Sequence, residues 1–540
     1  MSPLVATLVL VLTGAVLLGL LPFASHRSWL LLARRRGLEE RAAAESREPL
    51  GPEELPRVTV QLPVYDERHV VERLIDAACS LDYPRELLEI QLLDDSDDET
   101  TRLAAERCRR WQARGVEIHH IRRPAREGFK AGALAHGAAR ARGTFFLVLD
   151  ADFVPTPDLV LRLLPAFRDP EVGMVQARWD HLNRGESWLT RAQAFLLDGH
   201  FFYEQGGRYA AGRFFNFNGT AGMWRRSCLE EAGGWQSDTL TEDLDLSYRA
   251  QMAGWRFVYL DDVGVPAELP STPAALETQQ RRWAQGGIQT ARKILPDLLA
   301  GDHRLPVKLE AVVHLCGHLA HPLTVLLALL LLPSAVARRS LGLDAWLALD
   351  LAVFTAATVP FLCFYGAAGR RRGMEWRRIV PGVARTLALG IGLSVPVSRA
   401  VLRGLRRRHD PFERTPKRGA LARSTYERPG SDLLLRLGLA LLMAAYGVGA
   451  AVLGYWASLP FIGLFLAGFG LLAVEGLQVS SGARFGQYAG GAAATGGEAL
   501  PHQESQDRQP EKPPEPGRLR PDPGGLVGVQ AEVAEECEAA

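Results

Sequence analysis

Two patterns of apolar residues divide this chain. From residue 58 to 167, short β-rich runs alternate with stretches whose apolar positions recur at helical spacing. Residues 58–62 lead into Pro63-Val64-Tyr65-Asp66-Glu67, after which Val70, Val71, Leu74, Ile75 and Ala78 mark one helix face. The order repeats as 88–93 then 101–114, 117–121 then 129–141, and 145–149 then 157–167. Strand–helix alternation predicts an α/β fold with a mostly parallel, Rossmann-like sheet and helices on both faces. Ligands of such folds sit beyond the carboxyl ends of the strands.

The second pattern is unbroken apolarity. Crossing a hydrocarbon core takes roughly 20 mainly apolar residues, and residues 4–23, 311–332, 345–365, 433–453 and 459–477 meet this. Met1-Ser2-Pro3 carries no side-chain charge, which argues against a secretory signal. Arg34-Arg35-Arg36 follows the first run instead, so the positive-inside rule sets the amino terminus outside and the next domain in the cytoplasm. Residues 379–402 form a further apolar piece. A crossing there would send Arg406-Arg407-Arg408, Lys417 and Arg418 outside, and Arg385, Arg399, Pro381, Gly390, Gly392 and Pro396 interrupt it. The piece reads as interfacial or re-entrant, with a sixth true span as the alternative. The expected organisation is a transmembrane helix over 1–33, a cytoplasmic domain over 50–300, transmembrane and interfacial helices over 305–478 with a basic cytoplasmic loop at 404–431, and a tail over 480–540. This describes a multi-pass protein of the plasma or inner membrane.

Composition adds little until it is divided. A net charge of +1 and 47% hydrophobic residues hide a charged segment from Arg34 to Arg304 beside nearly pure apolar runs. No nucleic-acid partner is expected; the lipid bilayer is. The six cysteines form no CxxC pair, so neither a disulfide framework nor a zinc knuckle is expected. His314, His318 and His321 share a helix face in the second span, where they read as lining a polar cavity or packing between helices, with zinc as the minor alternative. The tail, rich in Gly, Ala, Pro, Gln and Glu, reads as disordered.

The chemistry lies at the strand ends. The second strand ends in Asp94-Asp95-Ser96-Asp97-Asp98 and the fourth in Asp150-Ala151-Asp152. Carboxylates there can hold a divalent cation such as Mg2+ or Mn2+, which neutralises a diphosphate. Either cluster alone is as well explained by turn formation and helix capping. Thr241-Glu242-Asp243 opens a probable helix, and capping explains one acid better than two. Gln279-Gln280-Arg281-Arg282-Trp283 sets an amide, a fixed cation and an aromatic together, suited to an anionic leaving group and a sugar face. It also suits an amphipathic surface helix near a membrane.

Taken in order, Pro63 to Glu67, Asp94-Asp95, Lys130-Ala131-Gly132-Ala133-Leu134, Asp150-Ala151-Asp152, Thr241-Glu242-Asp243 and Gln279-x-x-Arg282-Trp283 resemble the processive family 2 glycosyltransferases, which include cellulose, mannan and hyaluronan synthases. Leu92 to Ser96, Phe215 to Gly222 and Gly233-Gly234-Trp235 are most similar to the plant cellulose synthase-like A and C proteins, which make mannan or glucan backbones. The resemblance implies a GT-A type domain and an inverting enzyme that moves a hexose from UDP-glucose or GDP-mannose to a growing β-linked polysaccharide, secreted through its own transmembrane channel. It implies that Tyr65, Glu67, Asp95 and Lys130 line the nucleotide and diphosphate pocket, that Asp150 contacts the nucleotide-sugar and that Asp152 binds the metal. Asp243, beside Glu242, would be the catalytic base. Gln279, Arg282 and Trp283 would hold the diphosphate and the acceptor end of the polymer at the channel mouth. Two departures stand out. Asp66 replaces the usual Asn, which is expected to retune the nucleotide pocket, and Thr415-Pro416-Lys417 matches only part of the family's gating-loop sequence. A lipid acceptor of the ceramide or polyprenyl phosphate type remains an alternative, as does a transporter or receptor with an α/β binding domain. An accessory subunit is left open.

Overall fold

A computed structural model describes residues 1–44, 48–343, 347–406 and 432–480. The expected tail beyond Ser480, most of the basic loop and Thr415-Pro416-Lys417 lie outside the described residues.

Seven strands form one sheet in the order β3-β2-β1-β4-β6-β5-β7. β1 (Val58–Val64) lies between β2 (Leu88–Asp94) and β4 (Phe145–Val148), parallel to both, and β2 pairs parallel with β3 (Ile118–Ile121). Helices cover both faces, so the strands are buried on both sides; β4 is a continuous apolar run, whereas β1 and β2 alternate, their buried polar residues pairing across the strands as Thr59 with Glu89 and Gln61 with Gln91. Val60, Leu62, Ile90, Leu92, Leu147 and Val148 are fully buried. The connecting helices are α2 (Val71–Cys79), α3 (Thr100–Gln112), α4 (Phe129–Ala138) and the short α5 (Leu159–Leu163). On α2 the apolar stripe Val71, Leu74, Ile75 and Ala78 packs into the core, as its spacing predicts.

The other half of the sheet was not readable in the pattern. β5 (Val172–His181) runs parallel to β7 (Arg256–Ala267), and the four-residue β6 (Gly222–Arg225) lies antiparallel between β4 and β5. One helical stretch follows β5: α6 (Trp188–Gly199), a π-helical turn (His200–Gln205) and α7 (Gly206–Ala210). Ser187 caps α6, its side chain accepting from the Thr190 N–H. After β6 come α8 (Arg226–Glu231) and α9 (Glu242–Met252), and after β7 the long α10 (Pro273–Ala300), started by Thr272 as cap and Pro273 in the first turn.

The remaining helices are α1 (Pro3–Ala44), α11 (Leu305–Leu315), α12 (Ala320–Ser340), α13 (Leu347–Arg371), α14 (Trp376–Leu405), α15 (Leu433–Val452) and α16 (Leu459–Ser480). Five apolar stretches among the described residues are long enough to cross a membrane: Pro3–Leu38, Gly317–Ser340, Trp376–Leu405, Leu433–Val452 and Trp456–Val474. α13 covers the expected span at 345–365 from Leu347 onward.

α14 differs from the rest. It meets the length and apolarity of a span, yet 61% of its most apolar window is buried against 22–33% in the other four. A Cβ at Gly382, near its start, would lie 2.9 Å from the Phe195 ring of α6. Near its other end Gly404 packs on Gln285 and Ile288 of α10, and Arg292 Nη1 donates to the Gly404 carbonyl at 3.0 Å. Midway, Gly392 meets Gly468 and Leu472 of α16. Both ends of this helix therefore touch elements that flank the sheet, and its middle touches a membrane-length helix. α10 is tied once more, by a buried ion pair between Glu277 and Arg436 of α15 at 2.6 Å.

Candidate active site

Strand geometry sends adjacent side chains to opposite faces, and it gives Asp94 and Asp95 different work. Asp94 is buried, 2.8 Å from the His120 ring and accepting the Ser96 N–H at 2.9 Å, and so ties β2 to β3. Burial would raise its pKa, but the bonds from His120 and Ser96 hold it below the ordinary value. Asp95 turns the other way and takes Arg123 through two bonds, Nε at 2.7 Å and Nη2 at 2.6 Å. Arg123 also donates to the Phe129 carbonyl, which fixes the start of α4. Gly128 caps that helix with φ +67°.

In the first turn of α4, Lys130 Nζ donates to Asp150 Oδ1 at 2.5 Å and to the Gly219 carbonyl at 2.7 Å. Burial would lower its pKa, but Asp150, Glu242 and Asp243 outweigh that and raise it, so the ammonium is retained. At the end of β1 the Arg126 guanidinium stacks 3.4 Å from the Tyr65 ring centre. Asp66 next to it has φ +53°, its N–H donating to Ser96 Oγ and its carboxylate accepting from the Asp97 N–H. Asn and Asp both tolerate that left-handed backbone. Asp66 serves the turn, and the pocket lining passes from Tyr65 to Glu67 without it.

Glu242 and Asp243 open α9, where Asp243 Oδ1 accepts the Leu244 N–H at 2.9 Å. Asp245 points inward to Arg249 and Lys293. Burial, then the neighbouring Glu242 charge, push the Asp243 carboxyl up to about 7, against the pull of Lys130. The backbone crosses it closely at Gly219 (φ +79°), where a Cβ would lie 3.0 Å from Asp243 Oδ2. α10 supplies Gln279, Arg282 and Trp283, with the Trp283 ring 6.5 Å from that of Trp179.

All eleven residues singled out in the sequence, from Tyr65 to Trp283, line one pocket beyond the carboxyl ends of the strands. Among the other lining residues, five whose side chains carry polar groups were missed: Arg126, Trp179, His181, Asn218 and Glu268. Only Asn218 carried a signal, its place in the run from Phe215 to Gly222. Trp179 and His181 end β5. Both ring nitrogens of His181 and Nε1 of Trp179 are buried without a hydrogen-bond partner in the protein, as sites for ligand hydroxyls would be. Burial, then Arg184, lower the His181 pKa to about 3, so the ring is neutral.

The lining has seven carboxylates (Glu67, Asp95, Asp150, Asp152, Glu242, Asp243 and Glu268) and three fixed cations (Arg126, Lys130 and Arg282). A diphosphate would add negative charge to that excess, and hard oxygen donors with surplus charge fit a divalent cation. His314, His318 and His321 are not such a set. His314 Nδ1 lies 2.8 Å from the Tyr248 hydroxyl, and His318 stacks on His321. Among the described residues, the side chains grouped closely enough to share an ion are Glu89, Glu117 and His119. They lie at the opposite ends of the strands, and Arg57 and Arg142 pair with Glu117.

Residues 56–286 match the family described as "Glycosyltransferase like family 2". The chain thus carries a family 2 glycosyltransferase domain. The chain is 45% identical over 249 residues to the "Probable glucomannan 4-beta-mannosyltransferase 3" of Oryza sativa subsp. japonica, covering 45% of each chain. It is 43% identical over 257 residues to the "Glucomannan 4-beta-mannosyltransferase 2" of Arabidopsis thaliana, covering 47% of this chain and 48% of the relative. The chain thus spans about half the length of the curated relatives it matches. A solved mannosyltransferase from Pyrobaculum calidifontis, in complex with GDP-Man and Mn2+, aligns with a TM-score of 0.46 and 24% identity, over 68% of this chain and 99% of its own.

Proposed function

We propose that this protein is a membrane-embedded, inverting glycosyltransferase that extends a β-linked polysaccharide with hexose from a nucleotide-sugar, mannose from GDP-mannose being the favoured donor. One observation carries this reading: acids distant in sequence (Asp95, Asp150, Asp152 and Asp243) meet in one pocket with Lys130, Arg282 and Trp283. The preference for mannose rests on the printed names of the relatives, which are mannosyltransferases, and GDP as its carrier on the resemblance to mannan synthases.

Each residue then has a physical task. A sugar hydroxyl is a poor nucleophile near neutral pH, and a carboxylate titrating near 7 is well matched to take its proton. Asp243 does so as the acceptor oxygen attacks the anomeric carbon. The bond from that carbon to the diphosphate oxygen breaks and the configuration inverts from α to β. Lys130 and Arg282 offset the charge gathering on the leaving diphosphate. A divalent cation held by Asp152 would supply further Lewis-acid neutralisation there. Tyr65, Glu67 and Asp95 flank the nucleotide, Asp150 orients the donor, Glu242 sustains the raised pKa of its neighbour, and Gln279 and Trp283 face the acceptor.

The catalytic domain faces the cytoplasm in this reading. α14 lies at the interface, because its two ends both pack on helices of that domain. The product leaves through the helices beside α10. A lipid acceptor is the second reading, and product length separates the two.

Purified protein given GDP-mannose or UDP-glucose with Mn2+ is expected to release nucleoside diphosphate and build an oligosaccharide ladder. A single labelled lipid would favour the second reading, and no release from any nucleotide-sugar would remove the enzymatic one.

A further inference from the structure

The π-helical turn between α6 and α7 is unused by the reaction just described. In an α-helix, residues five apart face different ways; a π turn brings i and i+5 toward one side, and such turns recur at functional sites. Here His200 and Gln205, five apart, grip the same loop. Gln205 Nε2 donates to the Asn216 carbonyl at 2.8 Å. His200 Nε2 lies 3.1 Å from Asn218 Oδ1, and its Nδ1 lies 2.8 Å from Glu204 Oε2 on the same turn. Burial would raise the Glu204 pKa, but Arg27, His200 and Arg208 hold it well below the ordinary value. Arg27, which pairs with Glu204, belongs to α1.

Asn218 lines the pocket and His200 does not. Asn218 directly precedes Gly219, whose backbone passes against Asp243. It therefore stands beside the proposed base, which is where the reacting hydroxyl of the acceptor must lie. Its amide is also held by Asn216 Nδ2, 3.2 Å from Oδ1, and its N–H donates to Gln176 Oε1 at 3.0 Å.

We propose that His200 is a positioning residue which, braced by Glu204 and Arg27, fixes the Asn218 amide against the acceptor sugar, so that the grip on the polymer end depends on the first membrane-length helix. The proposal rests on the glycosyltransferase reading above and adds an acceptor-positioning device to it.

The test is a double-mutant cycle on the full-length protein with GDP-mannose, Mn2+ and β-1,4-mannotetraose. His200→Ala and Asn218→Ala are each expected to raise the acceptor KM about tenfold, while the donor KM moves less than twofold. The double variant is expected to raise the acceptor KM no further, because the two residues act as one unit. His200→Gln, which keeps a donor toward Asn218, is expected to recover part of the loss and serves if the alanine variant fails to fold. A roughly hundredfold rise in the double variant, or donor and acceptor KM rising together, would overturn the proposal while leaving the enzymatic reading standing. Failure of the wild-type protein to turn over any nucleotide-sugar would remove both.

Discussion

The two sides of the pocket are built differently. On the proposed nucleotide side, strand ends present charged groups already locked in pairs: Asp95 with Arg123, and Lys130 with Asp150 and the Gly219 carbonyl. On the proposed acceptor side, the end of β5 and helix α10 present aromatic faces backed by the π turn, and Trp179 and His181 keep polar atoms open to a ligand. Those helices are tied onward to the membrane-length ones, α10 through Glu277 and Arg436, the π turn through Glu204 and Arg27. A fixed, charged wall suits a diphosphate of constant shape. An aromatic wall suits a sugar chain that must slide after each addition.

The sharpest way to break this contrast is Asp243→Asn, which removes the proposed base where the two walls meet. Transfer is expected to fall about a thousandfold or more with nucleotide binding retained, as measured by nucleoside diphosphate release beside equilibrium binding. Lys130→Met strikes the nucleotide wall alone. It leaves Asp150 and the Gly219 carbonyl without their cation, and donor affinity is expected to fall about a hundredfold, with a smaller change in acceptor KM. The pH profile follows from Asp243: kcat/KM is expected to drop about tenfold per unit below a limb near pH 7. Trp283→Ala strikes the opposite wall and is expected to raise the acceptor KM about five- to tenfold with little effect on the donor.

The smallest expected effect is on stability. The folded-state pKa of Asp243 is raised to about 7 from 3.8, so its favourable contribution is complete below about pH 4 and is lost as pH rises through 7. Asn has no such loss. The melting temperature of Asp243→Asn is therefore expected to exceed that of the wild type by a margin that widens from pH 5 to pH 8. A margin that narrows would show that Lys130 offsets the buried charge fully.

The nucleotide wall was the more legible one. Each of its carboxylates follows an apolar strand within a few residues, so local pattern alone set Asp95, Asp150 and Asp152 at strand ends. On the proposed acceptor wall α10 was legible through Gln279, Arg282 and Trp283, but the rest is assembled from β5, the π turn and the loop before β6, segments whose apolar periodicity is weak and whose meeting depends on an antiparallel strand only four residues long. Trp179 and His181 stand out only once their nitrogens are seen to lack partners. α14 escaped for another reason. Apolar residues satisfy lipid and protein equally, so its charges and glycines spoke against a plain span without revealing what encloses it.

That enclosure bears on whether residues 50–300 can be cut free. Leu189, Ala192, Leu276, Ala284 and Ile288 of α6 and α10 form one apolar cluster with Leu389, Leu393, Val397, Ala400 and Val401 of α14 and Leu472 of α16. Severing the chain after α10 would strip a continuous greasy floor from beneath the enzyme. The excised fragment would then self-associate or need detergent, although its sequence alone reads as water-soluble.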